Sequence, residues 1–219
     1  MLNLSMISYI GVQGRSDQQS VTDQMCRVGD RTAELINFAE IVLLTAVYPS
    51  FQPKNVRVIL INPLNYDQYN ELAFKYLHRW VKSDYIMNFQ DDGFALNPDK
   101  WSDDFLKYDY LGAPWPIGCG WSWEGREVGN GGFSLRTRKL YKECEPLQIH
   151  PGVHEDGAIC LQYRDHLMSK GIKFGTWQDG YRFSIDLPFN SEHSIENCFG
   201  FHGKDYMKKA NSILFGGGE

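Results

Sequence analysis

Two adjacent carboxylates follow an apolar stretch in the segment DYIMNFQDDGFALNP, residues 84–98. Asp91 and Asp92 repel each other, and in a cleft without a counter-ion that repulsion would raise the pKa of one of them. A divalent cation such as Mg²⁺ or Mn²⁺ removes this cost, because it binds oxygen ligands and leaves substrate phosphates to complete its coordination shell. The pair is equally able to cap a turn before Gly93, since Asp-Gly sequences favour turns. The residues alone leave both interpretations open.

The predicted elements around this pair indicate where it lies. Apolar, β-branched runs and segments of helical spacing predict the order strand, helix, strand, strand, helix, strand for the first half of the chain. Continuous apolar strands suit a parallel sheet covered on both faces, and ligands bind outside the carboxyl ends of such strands, where Gln90, Asp91 and Asp92 are found. The predicted ranges are 6–14, 22–38 with Thr22 or Asp23 as the helix cap, 40–49, 56–63, 65–81 and 84–89.

The second half of the chain has a different pattern. Residues 112–133 are rich in glycine and tryptophan, one amphipathic helix is predicted near 156–170, and short strands are predicted around 172–187. Together the two halves predict an α/β fold in which a central, mostly parallel mixed sheet is flanked by helices.

Composition narrows the class of protein. The 219 residues suit a single domain, and 42% hydrophobic residues with a net charge of -5 argue against disorder and against a basic nucleic-acid surface. We expect no transmembrane segment and no signal peptide. The five cysteines form no C-x-x-C pair, which predicts free thiols and a location in the cytoplasm.

Five further landmarks follow in order: KYDYLGAPWP, VGNGGFSLRTRKL, HEDGAIC, YRFSIDLPF and FGFHG. With them the sequence resembles small GT-A-type glycosyltransferase domains, in particular an uncharacterised-domain family with the same succession of motifs. It is also similar to glycan-building glycosyltransferases of large algal viruses. The resemblance runs from about residue 60 to 207. It implies one GT-A-like domain over residues 1–219, with a nucleotide-binding part at about 1–95 and an acceptor part at about 96–207.

The resemblance also implies a metal site. GT-A enzymes hold a metal with a strand-end D-x-D motif, which stands here as Gln90-Asp91-Asp92. Asp92 takes the metal-binding last position, Gln90 replaces the first carboxylate, and Asp91 is placed to share the role. His202 in FGFHG takes the place of the C-terminal histidine that supplies a second ligand, and imidazole suits Mn²⁺ better than Mg²⁺. An ordinary turn histidine is the alternative for His202.

Glycines mark the implied nucleotide-sugar site. Gly11, Val12 and Gln13 stand where GT-A enzymes place the nucleoside base, and Gly131 and Gly132 suit a close approach of backbone to the donor sugar. Turn geometry alone explains these glycines equally well. The chain has neither a P-loop nor a dinucleotide fingerprint.

An acidic pair is the implied catalytic element. Glu155-Asp156 resembles the x-Glu-Asp motif of inverting GT-A enzymes, which assigns Asp156 as the general base for the acceptor hydroxyl and Glu155 as its orienting partner. Both could instead be first-turn acids favoured by a helix dipole. If the enzyme retains anomeric configuration, Asp156 positions the sugar without taking a proton.

Two other groups of residues are open to two interpretations. Indole rings could stack on acceptor sugars or fill the core, and guanidinium groups could clamp phosphates, although surface positions are the simpler expectation for them. The residues concerned are Trp115, Trp121 and Trp123, and Arg126, Arg136 and Arg138.

The leading expectation is a metal-dependent glycosyltransferase that moves a sugar from a nucleotide-sugar, a UDP-sugar by family tendency, to a glycan or glycoprotein acceptor. A metal-dependent nucleotidyl or phosphoryl transferase uses a similar strand-end aspartate. A non-catalytic carbohydrate-binding module would use the tryptophans alone. A glycosidase would use paired carboxylates without any nucleotide.

Overall fold

Apolar β-branched segments form the centre of the molecule. The computed structural model describes residues 1–116, 128–188 and 190–216, and within these ranges six strands join in one sheet in the order β3-β2-β1-β4-β7-β6. The first four are parallel, β7 is antiparallel to β4, and β6 is antiparallel to β7 and so runs in the same direction as the first four. The strands are β1 (Leu2–Gln13), β2 (Ile36–Thr45), β3 (Val56–Leu60), β4 (Tyr85–Phe89), β5 (Gly93–Ala95), β6 (Tyr110–Gly112), β7 (Ser134–Thr137), β8 (Ser184–Ile185) and β9 (Gly200–His202).

Helices cover both faces of this sheet. On β1, the side chain of Tyr9 packs on the face covered by the first helix, whereas Ile10 packs on the opposite face. This alternation confirms the predicted α/β fold with a mostly parallel mixed sheet. The helices are α1 (Gln19–Leu35), α2 (Tyr66–Glu71), α3 (Arg138–Cys144), α4 (Glu155–Gly157), α5 (Arg164–Ser169), α6 (Trp177–Phe183) and α7 (Met207–Phe215). Single π-helical turns continue α2 (Leu72–Tyr76) and α4 (Ala158–Gln162), and short 3₁₀ turns lie at Leu77–Arg79, Pro98–Lys100, Asp103–Lys107 and Lys204–Tyr206.

A second, three-stranded sheet brings the end of the chain back to the first half. β9 lies between β5, to which it is antiparallel, and β8, to which it is parallel. In this register Gly93 pairs with His202. The residue before Gly93 is Asp92, so the pairing of β5 with β9 places the predicted metal ligands side by side.

Two local predictions were wrong. Thr22 and Asp23 do not cap α1, which begins at Gln19; Thr22 bonds the Thr45 hydroxyl at 3.0 Å, and Asp23 accepts hydrogen bonds from Ser50. Short strands were predicted around residues 172–187, but among the described residues of this segment only β8 is a strand, because residues 177–183 form α6. Thr176 caps α6 by accepting a hydrogen bond from the Asp179 backbone N–H at 3.2 Å.

Two further properties concern the whole described chain. None of the helices in residues 1–116, 128–188 and 190–216 is long and apolar enough to cross a membrane. The four cysteines in these ranges are buried free thiols, as predicted from their spacing.

Candidate functional site

A cleft of about 630 Å³ opens at the carboxyl ends of β1 and β4. This is the edge of the sheet at which α/β proteins bind ligands. The predicted site residues that line it are Val12, Gln13, Gln90, Asp91, Gly132, Glu155, Asp156 and His202. Asp92 and Gly131 contact members of this set, whereas Gly11 lies one residue deeper in β1.

Gly11 and Gln13 have structural partners of their own. A Cβ on Gly11 would lie 2.6 Å from Cε of Met25 and 2.8 Å from the Phe89 ring, so the close packing of β1 requires glycine there. The Gln13 side chain donates to the Gln18 carbonyl at 2.9 Å and accepts from the Arg15 N–H at 2.7 Å. These bonds hold the loop between β1 and α1, which forms one wall of the cleft.

The acidic half of the cleft is built around Asp156. The backbone N–H groups of Gly131 and Gly157 donate to its two carboxylate oxygens, at 2.9 and 2.7 Å. Burial, and then the neighbouring charge of Glu155, nevertheless raises the pKa of Asp156 from 3.8 to about 6. A carboxylate with a pKa near 6 is a stronger base than an ordinary aspartate and is still ionised at neutral pH.

Glu155 forms a buried ion pair with Arg136. The guanidinium Nη2 lies 2.9 Å from Oε1 of Glu155, and the Arg136 side chain is fully inaccessible to solvent. Its remaining donors reach the carbonyls of Ala73 and Gly131 and the hydroxyl of Ser134. The surface position expected for Arg136 is therefore wrong. Arg136 joins β7, the turn after α2, the glycine segment and α4 around the acidic pair.

The second half of the site is formed by His202, which lines the cleft, and Asp92, which lies beside it. Nε2 of His202 lies 3.6 Å from Oδ1 of Asp92 and 3.2 Å from Oε1 of Gln90. On the other side of the ring, Nδ1 lies 3.0 Å from Oδ1 of Asp186. Burial favours the neutral ring, but the Asp186 hydrogen bond and the charge of Asp92 outweigh it and raise the pKa of His202.

Asp91 also lies in this half of the cleft. Burial, and then the adjacent charge of Asp92, raises the pKa of Asp91 above its ordinary value. This is the repulsion that the adjacent carboxylates predicted. Asp92 and His202 are close enough to share one divalent ion, and carboxylate with imidazole is a donor set that suits Mn²⁺. No group of three His, Cys, Asp or Glu residues in the described parts of the chain is arranged to hold a metal, so substrate oxygens would have to complete its shell.

The two halves of the cleft meet at consecutive glycines. A Cβ on Gly131 would lie 2.1 Å from Oε1 of Glu155, and a Cβ on Gly132 would lie 2.1 Å from Cδ2 of His202. Any side chain at either position would displace one of these groups. The glycines therefore set the distance between the acidic pair and the histidine.

A model of a protein family matches residues 62–202, which is more than half of the chain. Its description is "Protein of unknown function (DUF5672)". The chain belongs to the DUF5672 family. The matched segment includes every predicted site residue from Gln90 to His202. No curated protein sequence matches the chain.

Solved structures show which fold this DUF5672 chain has. The galactosyltransferase LgtC, in complex with donor and acceptor sugar analogues, superposes with a TM-score of 0.55 at 10% identity, over 95% of each chain. This likeness confirms the GT-A-like fold. Two matches are weaker. A nucleotidyl transferase from Methanothermobacter has a TM-score of 0.48 at 12% identity and covers 97% of this chain and 99% of its own. A glycosyltransferase involved in glycosylation of the major capsid of PBCV-1 has a TM-score of 0.41 at 12% identity, over 90% and 94%.

Other sequence predictions for this DUF5672 chain lie partly outside the described residues. Trp121, Trp123 and Arg126 fall in that part. Trp115 is described, and it is 6% exposed with its ring against Gly129, which agrees with the core alternative. Arg138 donates to the carbonyls of His78, Val81 and Ser83 rather than facing the cleft.

The structure adds residues that the sequence interpretation missed. Tyr66 lines the cleft with its ring 49% exposed, and its hydroxyl lies 2.6 Å from Nδ1 of His154. Asn70 accepts a hydrogen bond from the backbone N–H of Glu155 at 3.1 Å and so ties α2 to α4. Asp186 directly follows β8 inside the YRFSIDLPF landmark, and its position at a strand end is the one sequence signal that could have drawn attention to it.

Proposed function

We propose that the protein is a metal-dependent glycosyltransferase that moves a sugar from a nucleotide-sugar, a UDP-sugar by our inference, to a glycan or glycoprotein acceptor. One observation carries the proposal: Asp156, with a raised pKa, and His202, with Asp92 beside it, line one cleft at the strand ends or lie directly against it. The overall fold of LgtC, a galactosyltransferase solved with sugar analogues, supports the same reading. We also propose a cytoplasmic location, which agrees with the buried free thiols.

Different residues of the cleft would bind the metal, accept the proton and contact the nucleoside. Asp92 and His202 would hold Mn²⁺ or Mg²⁺, which would offset the charge that develops on the departing nucleoside diphosphate. As the acceptor oxygen bonds to the anomeric carbon, the bond from that carbon to the phosphate oxygen breaks. In the inverting form of the reaction, the acceptor proton passes to the carboxylate of Asp156. Val12 and Gln13, at the end of β1, would face the nucleoside.

The activity should depend on pH in a way set by Asp156. Because the base must be ionised, and its pKa is raised to about 6 by burial and by Glu155, transfer should decrease as the pH falls through about 6. An ordinary aspartate would support transfer down to about pH 4. The measurement is the pH dependence of kcat at saturating Mn²⁺ and donor. A midpoint at or below about pH 4 would show that Asp156 does not act as this base.

Nucleotide binding tests the proposed function directly. We expect UDP with Mn²⁺ to raise the melting temperature of the protein, and UDP with EDTA to have a much smaller effect, because Asp92 and His202 would hold the ion and the ion would offset the charge of the diphosphate. A panel of UDP, GDP, CDP and dTDP, each with Mn²⁺ and with EDTA, gives the measurement. The Asp92→Ala variant should lose the metal-dependent part of the shift.

The same nucleotide panel, extended with free sugars, glycans and nucleoside triphosphates, separates the alternatives. A carbohydrate-binding module would bind sugars equally well in EDTA and after Asp92→Ala, and no nucleotide would change its melting temperature. A glycosidase would release sugar from glycans without any nucleotide. A nucleotidyl transferase would bind nucleoside triphosphates and release pyrophosphate. Any of these results would replace the glycosyltransferase proposal.

A further inference from the structure

Asp186 lies on the side of His202 that faces away from the cleft. It directly follows β8, in which Ile185 pairs with Phe201 of β9, so the register sets Asp186 beside the histidine. Its Oδ1 lies 3.0 Å from Nδ1 of His202, and only about a fifth of its side chain is exposed.

We propose that Asp186 is a positioning residue: it fixes the imidazole of His202 with the hydrogen on Nδ1 and the lone pair of Nε2 directed at Asp92. The inference rests on the proposed function, in which His202 is a metal ligand. It goes further by naming the residue and the tautomer that make His202 able to bind an ion.

Two contacts to Nδ1 require opposite tautomers. Asp186 can only accept a hydrogen bond, so it requires a hydrogen on Nδ1. The amide nitrogen of Asn130, also 3.0 Å away, can only donate, so it requires a bare Nδ1. A hydrogen bond to an ionised carboxylate is roughly twice as strong as one between neutral groups. Without a hydrogen, the lone pair of Nδ1 would face the carboxylate of Asp186, and the two would repel each other.

On the other side of the ring, Nε2 faces the acceptor oxygens of Gln90 at 3.2 Å and Asp92 at 3.6 Å, which also favour a hydrogen on Nε2. The Asp186 contact is shorter than either and is made to a carboxylate, so we infer that Asp186 decides the tautomer and leaves Nε2 free for a cation between it and these oxygens.

The tautomer matters because an imidazole binds a metal through a nitrogen that carries no hydrogen. With the hydrogen on Nδ1, Nε2 is the only ligating atom, and it already lies near Oδ1 of Asp92 and Oε1 of Gln90. Carboxylates that hold a ligating histidine in this way also raise its basicity, and their removal typically lowers metal affinity by about 10- to 100-fold.

The metal-free protein gives the first test. In ¹H–¹⁵N spectra recorded at a pH where the ring is neutral, the His202 signal, assigned by its loss in His202→Gln, should show the hydrogen on Nδ1. In Asp186→Ala only the Asn130 contact would still act on Nδ1, so the hydrogen should move to Nε2. Asp186→Asn keeps an acceptor oxygen and should restore the Nδ1 tautomer at least in part. A wild-type ring with its hydrogen on Nε2 would overturn the proposal, and this result requires only the His202→Gln variant, for assignment of the signal.

Metal affinity gives the second test. Mn²⁺ binding in the presence of UDP, followed by the loss of the free-ion EPR signal, should weaken about 10- to 100-fold in Asp186→Ala and less in Asp186→Asn. Asp205→Asn, an exposed aspartate three residues after His202, is the matched control and should bind like wild type. If Asp186→Ala binds as tightly as wild type, or if Asp205→Asn weakens binding as much, the positioning role is wrong while the proposed function stands. If the wild-type protein does not bind Mn²⁺, the metal-dependent function fails, and the positioning role with it.

Discussion

Asp156→Asn is expected to lower sugar transfer by about 10²- to 10⁴-fold while nucleotide affinity changes little. The amide has nearly the shape of the carboxylate and retains an oxygen that can accept from Gly131 or Gly157, so the cleft should keep its form. It cannot take a proton from an attacking hydroxyl. The loss should therefore fall on kcat and leave binding of UDP and Mn²⁺ near wild type.

The acceptor is not needed for this measurement, because hydrolysis of UDP-sugars uses water as the acceptor. Hydrolysis should be compared in wild type, Asp156→Asn and Asp99→Asn, and UDP affinity should be measured by calorimetry in all three. Asp99 is an exposed aspartate outside the cleft and serves as the matched control. Hydrolysis by Asp156→Asn at a rate near that of wild type would remove Asp156 from the role of base.

Arg136→Met is expected to lower the free energy of unfolding by about 3–5 kcal/mol, because it leaves the carboxylate of Glu155 buried without its partner. It also removes the donors that hold the carbonyls of Ala73 and Gly131. The double variant Arg136→Met/Glu155→Gln removes the unpaired charge as well and should recover part of this loss.

Urea denaturation gives the free energies for these variants. The control is Arg57→Met, which removes an arginine from an ion pair with Glu40 in which half of the arginine side chain is exposed. Exposed pairs contribute at most about 1 kcal/mol, so the control should change stability far less. If Arg136→Met and Arg57→Met lower the free energy of unfolding equally, the buried Arg136–Glu155 pair contributes no more to stability than an exposed pair.

The first half of the fold could be predicted because its strands and helices carry strong local signals. β2 and β3 lie in largely apolar, β-branched runs, and the order of β1 to β4 with α1 and α2 follows from periodicity. α6 was missed because its apolar and aromatic residues resemble a strand, whereas the capping contact of Thr176 appears only in three dimensions. The start of α1 was missed because Thr22 and Asp23, both good cap residues, are used in tertiary hydrogen bonds.

The site was predictable to the extent that its residues stand at strand and helix ends. Asp92, Asp156 and His202 could be named because landmarks surround them, and the structure brings their segments to one cleft. Arg136 could not be placed, since an arginine in a strand normally faces solvent and only the fold supplies the buried carboxylate that pairs with it. The role of Asp186 depends on the β8–β9 register, which no local pattern encodes.

The pairing of β9 with β5 has a consequence for how the protein is made. Translation produces Asp92 and its strand long before it produces the histidine that must lie beside them. A nascent chain that has not reached residue 200, or a fragment that stops before it, lacks β9, so no histidine lies beside Asp92 at the proposed ion site. The ion site that we propose can therefore form only after residue 202 has been made and β9 has paired with both β5 and β8.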